Sequence, residues 1–137
     1  MVEFAIVAPI MLTLIVAMAV FGVAFDHYVA LTFAASNAAQ QLAISRGQTS
    51  DPCKTTSAAA FQSAPQLNSA NIKFSILLGS HTSASGQANP SCSGDQQYLV
   101  QSNNAQVTAT YPCNLQIFGV NPAPSCTLSA SSSVAIQ

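Results

Sequence analysis

Charge is what this sequence has least of. Only 5% of its 137 residues are Asp, Glu, Lys or Arg, against roughly a quarter in an ordinary soluble protein. The three basic residues, Arg46, Lys54 and Lys73, are scattered. A nucleic-acid binder needs clustered Lys and Arg to displace counterions from phosphates, so that class is excluded. Disorder is excluded by the same scarcity, because apolar residues and uncharged Ser, Thr, Asn and Gln stand where charge would be. Half the chain is hydrophobic and its mean hydropathy is +0.38. An anchored or assembled protein fits these numbers.

Catalytic patterns are also missing. There is no G-x-S-x-G elbow, no P-loop, no H-E-x-x-H and no dinucleotide glycine fingerprint. His27 and His81 are the two histidines, and Asp26-His27 beside an abundant serine imitates a triad without specifying one. Glu3, Asp51 and Asp95 are too dispersed for a calcium cluster, and no C-x2-C pair suggests zinc. The sequence is read as a non-enzyme with no cofactor and no metal. Phe74, Tyr98, Tyr111 and Phe118 are read as core or interface aromatics, and residues 116–120 as apolar enough to touch a neighbour or a lipid surface.

What is present begins with residues 4–25, FAIVAPIMLTLIVAMAVFGVAF, which carry no charge. As a helix they span about 33 Å, against a hydrocarbon core of about 30 Å. No Pro follows before Arg46. Tyr28, Leu31, Ala35, Ala38, Leu42 and Ser45 recur at spacings of three and four, one helical stripe. Ala35, Ala39 and Ala43 form a small-residue ridge that allows another backbone to come close. Arg46 and Gly47 suit a helix end. One helix is expected over residues 2–46, with Pro9 as a candidate kink.

Composition then turns to Ser, Thr, Asn, Gln and Pro. Asp51 as N-cap and Pro52 in the first turn announce a short second helix ending by Pro65. Strands are expected at 72–78, 97–101, 106–111 and 127–136, the third and fourth on period-2 alternation. The Gly/Ser-rich stretch between the first two reads as a loop. The expected fold is α+β: a long N-terminal helix (1–46) packed on a small antiparallel sheet within a 47–137 domain that also holds the second helix.

Cys53, Cys92, Cys113 and Cys126 all follow the apolar segment, which suggests two disulfides and an oxidising compartment. Three pairings are open. Cys113–Cys126 is favoured because it closes the loop between the last two strands, leaving Cys53–Cys92. Each link would contribute about 3 to 4 kcal/mol by the chain-entropy estimate. All three Lys/Arg also follow the apolar segment, which by the positive-inside rule would put this domain in the cytoplasm. The cysteines outweigh so small a charge bias.

Glu3 stands directly before the span. It either complements the helix dipole or pairs with an N-terminal ammonium, its own or a neighbour's, in an apolar assembly. Such a pair attracts by about 4 kcal/mol at an effective dielectric of about 20, before desolvation is subtracted. The opening Val2-Glu3-Phe4-Ala5-Ile6-Val7-Ala8-Pro9 resembles the VEFALVAP start of TadE-like minor pilins of tight-adherence (Flp, type IVc) pilus systems. AASNAAQQLAISRG resembles the family's helix end, and VTATYPC and TLSASSSVAIQ resemble it more weakly.

The resemblance implies a precursor whose basic leader a prepilin peptidase removes, with inner-membrane machinery then packing the helix into a filament of pilin subunits. It implies an inner-membrane protein with an extracytoplasmic domain, then a cell-surface pilus for adhesion. The assembly interface toward other subunits is expected at Glu3, Phe4, Pro9, Ala35, Ala39 and Ala43, and the resemblance implies the ammonium-pairing role for Glu3. The position of Glu3 implies residues ahead of Met1 or a different cleavage. The main repeating pilin of a divergent pilus is the alternative within that class. A membrane-tethered monomeric periplasmic binding module, with residues 82–94 as its contact loop, is the alternative outside it.

Overall fold

The computed structural model describes residues 2–113, 115, 121 and 123–137, and of Val2, Glu3 and Ala5 the backbone alone. The chain is α+β. Helix α1 (Val2–Ile44) is followed by α2 (Pro52–Ser63) and four strands: β1 (Lys73–Leu78), β2 (His81–Gln87), β3 (Asn104–Pro112) and β4 (Thr127–Ala135). A short 3-10 turn, Asp95–Tyr98, lies between β2 and β3. The sheet is antiparallel throughout, in the order β2-β1-β3-β4.

Helix α1 runs through Pro9 without interruption, the proline costing one backbone bond that the helix tolerates. It closes at Ile44, two residues earlier than periodicity suggests. The Ser45 hydroxyl and amide both turn back to the Leu42 carbonyl (2.7 and 3.2 Å), and Gly47 takes a positive φ of 71° that a glycine holds without strain.

Leu31, Ala35, Ala38, Leu42 and Ser45 of the expected stripe are buried, while Tyr28 at its lower end stays 44% exposed. That stripe, widened by Ala30, Ala34, Ala39 and Ala43, meets α2 on one side and β3 and β4 on the other. Opposite it the sheet contributes Phe74, Ile76, Leu78, Val107 and Ala109, all buried on the face that alternation assigns them. Phe61 of α2 closes the core edge-on to Phe74, with ring centroids 5.6 Å apart.

Two expectations are corrected. Residues 97–101 are no strand: the 3-10 turn ends there with Leu99 buried and the adjacent Val100 half-exposed. The stretch read as a loop after β1 contains β2 instead. Gly79, at a φ of 62°, leads the two-residue turn Gly79-Ser80 that pairs Leu78 with His81. Only Ala84 of β2 is buried, as suits an edge strand.

Candidate assembly surface and the base of the head

The two halves of α1 have opposite surroundings. Over residues 4–25 the large side chains are turned outward: Phe4 is 79% exposed, Met18 71% and Phe25 68%. This part is long and apolar enough to cross a membrane, and the described residues bury none of its most apolar stretch. Phe21, Phe25, Val29 and Phe33 follow at four-residue intervals, one ridge of an α-helix. All four are exposed, so the bare surface climbs past Asp26 and His27 to Phe33, which is 62% exposed. Phe33 lies about 12 Å along the axis beyond Phe25.

Of the residues assigned to assembly, Phe4 and Pro9 lie exposed on the bare half. The Glu3 side chain lies outside the described residues, as do residues 116–120 and Phe118. Ala35, Ala39 and Ala43 are at most 2% exposed, sealed inside the chain's own core. Their expected role toward another molecule is therefore corrected: the backbone that approaches this ridge belongs to the same chain. A small-residue ridge encodes close approach and says nothing of whose backbone approaches.

Asp51 is the polar knot of the head. As N-cap of α2, its Oδ1 accepts from the Lys54 amide (3.2 Å), the bond that satisfies a helix-start donor. The same carboxylate accepts from the Cys92 amide (3.0 Å) and the Ser91 hydroxyl (2.6 Å), forty residues along the chain. Burial works against its ionisation. The Cys92 amide, the Ser91 hydroxyl, the Lys54 amide and the Lys54 charge outweigh that burial and hold its pKa below the ordinary 3.8. Cys92 is disulfide-bonded to Cys53, in the first turn of α2, and the Gln96 side chain donates to the Thr49 carbonyl.

The second disulfide, Cys113–Cys126, ties the end of β3 to the start of β4, with Cα atoms 5.5 Å apart. It lies where the head meets the bare half of α1. There His27 packs edge-on to Tyr111 (5.6 Å). Leu115 lines a cleft of about 300 Å³ with Ala19, Val20 and Val23. On its other side a groove of about 440 Å³ is walled almost wholly by apolar atoms of Phe21, Phe25, Tyr28, Leu115 and Leu128 beside the disulfide.

At the far end of the head, His81 stacks on Tyr98 (3.9 Å) with its Nε2 3.6 Å from Asp95, holding the edge strand to the 3-10 turn. This packing was not foreseen, because β2 was not. Among the described residues no three His, Cys, Asp or Glu side chains gather as metal ligands. Residues 82–94, expected as one contact loop, are divided between β2 and a segment held by Asp51 and Cys53.

A helix bare over one half, and built over the other into a small disulfide-linked α+β head, defines a pilin-like protein. Residues 1–40 match the family model described as TadE-like protein, which supports a pilin-like protein associated with Tad pilus systems. The match covers the bare half of α1 and most of the buried stripe, and stops before α2 and the sheet. Neither a curated protein nor a solved structure matches the chain. The TadE-like family is structural, and its place in Tad pilus systems implies association with other pilus components.

Proposed function

We propose that this chain is a structural subunit of a type IV-related tight-adherence pilus. Residues 1–46 act as a rod and 47–137 as a disulfide-linked head outside the cytoplasm. The rod waits in the inner membrane, is processed by a prepilin peptidase, and is then packed by the assembly machinery against other pilin subunits to start or extend a surface filament. In this reading Glu3 pairs with an N-terminal ammonium and sets the register between subunits, the use to which a costly buried ion pair is best suited.

Phe33 carries the reading. A tether needs apolar surface only where lipid is. A phenylalanine 62% exposed about 12 Å past the apolar segment, on the same ridge as Phe21 and Phe25, suits a second helix lying along α1 instead. The experiment replaces residues 1–25 with an unrelated apolar helix in a piliated strain. The expected result is a folded, membrane-held head and no pili. Normal piliation would reduce the rod to a tether and favour the binding-module alternative.

A further inference from the structure

The groove at the base of the head lies at a height on α1 that decides what fills it. Leu115 shares a cleft with Ala19, Val20 and Val23, and shares the groove with Phe21, Phe25, Tyr28 and Leu128. Leu115 and the disulfide therefore flank the last two turns of the apolar segment, reaching about 10 Å below Asp26 along the axis. Suppose the hydrocarbon began only beneath Leu115. Residues 4–18 would then have to cross alone, as a helix of about 22 Å in a layer of about 30 Å. The full segment of about 33 Å is needed, and its upper turns cannot enter the membrane without the base of the head.

We infer that the base of the head, at the Cys113–Cys126 disulfide, is seated in the near leaflet of the bilayer, and that the groove between α1 and Leu115/Leu128 holds a phospholipid acyl chain while the subunit awaits assembly. The lining fits that ligand and no polar one, since its walls are almost wholly apolar. The depth matches an element lying about 5 to 10 Å into the headgroup and acyl boundary. Tyr28 lines the groove and Tyr111 stands beside His27, where amphipathic rings favour the membrane–water interface. A soluble head would be destabilised by an open apolar groove beside its own disulfide, whereas a lipid-seated head gains contact area from it. This rests on the membrane-held state in the proposed function and adds a lipid site to it.

The chain has no tryptophan, so one introduced residue reports its own surroundings. Three variants of the full chain, Leu115→Trp, Leu14→Trp and Val100→Trp, are reconstituted in phosphatidylcholine vesicles whose acyl chains are brominated near the headgroup or near the chain end. Val100 lies at the far end of the head, bonded through its carbonyl to the turn before β3. Leu115→Trp should lose most of its emission, more to bromine near the headgroup than near the chain end, at every dilution of protein in lipid. Leu14→Trp should be quenched with the opposite depth preference, and Val100→Trp should be unaffected.

Retained emission from Leu115→Trp with Leu14→Trp quenched would overturn the lipid site and leave the membrane span standing. Retained emission from both would overturn the span itself. Leu128→Trp, on the sheet side of the same groove, gives the same reading where Leu115→Trp does not fold.

Discussion

The lower and upper halves of α1 are one continuous helix with opposite designs. Residues 4–25 put Phe, Ile, Leu and Met outward on every side and leave them uncovered. Residues 30–45 place Ala and Leu on one stripe and bury it against α2 and the sheet. A helix apolar all round is built for an apolar surrounding, and a helix with a small-residue stripe for a close neighbour. The upper half already has its neighbour. The lower half, with Phe33 above it, is left exposed by the described residues except at its top, beside Leu115.

Breaking the packed half at its strongest point should have the largest effect. Removing the Cys53–Cys92 bond by paired Cys→Ala substitution opens a link across 39 residues, and should cost about 4 kcal/mol of head stability in urea unfolding of the detergent-held chain. The same treatment of Cys113–Cys126, which spans 13 residues, should cost about 3 kcal/mol. Equal losses would show that strain or residual structure matters more than loop length.

Leucines in the two halves should then part company. Leu31 and Leu42 are fully buried, so Leu→Ala at either should cost about 3 kcal/mol through lost contacts and a cavity. Leu14 is half-exposed on the bare half, and Leu14→Ala should leave head unfolding within about 0.5 kcal/mol of the parent. A comparable loss at Leu14 would erase the distinction between the halves.

Asp51→Ala should cost about 1 kcal/mol as a lost cap, with the Cys92 amide left wanting. Asp51 has a folded pKa below its ordinary 3.8. Its contribution is present above the unfolded value and is lost as pH falls through the folded one. Unfolding midpoints followed downward from pH 6 should drop for the parent and drop less for Asp51→Ala. The smallest effect on stability is expected at Phe33: Phe33→Ser should shift unfolding by less than about 0.5 kcal/mol yet impair pilus assembly. Normal pili from that variant would remove the best reason for extending the assembly surface beyond the lipid.

Much of this was legible from spacing alone. The period of Leu31, Ala35, Ala38 and Leu42 marked the buried stripe, and the alternation of Val107, Ala109 and Tyr111 marked β3. Asp51-Pro52 marked the start of α2. Strand β2 was invisible because its residues are His, Thr, Ser, Ala, Gly and Gln, with Ala84 alone buried. The signal that could have found it is the Gly79-Ser80 pair directly after an apolar run. Residues 97–101 misled in the other direction, since Tyr98, Leu99 and Val100 have strand-like side chains in a segment that turns. The partner of the Ala35, Ala39 and Ala43 ridge could not be read at all, because the core of the same chain and a helix of another satisfy the same spacing.

The central claim is that the bare half of α1 ends against other pilus subunits and meets lipid only in waiting. A photo-crosslinking amino acid in place of Met18, which is 71% exposed, tests it in living piliated cells. The account predicts a covalent adduct between this chain and another pilus subunit that vanishes when the assembly machinery is absent. Adducts to lipid alone, the same in piliated and unpiliated cells, would contradict it.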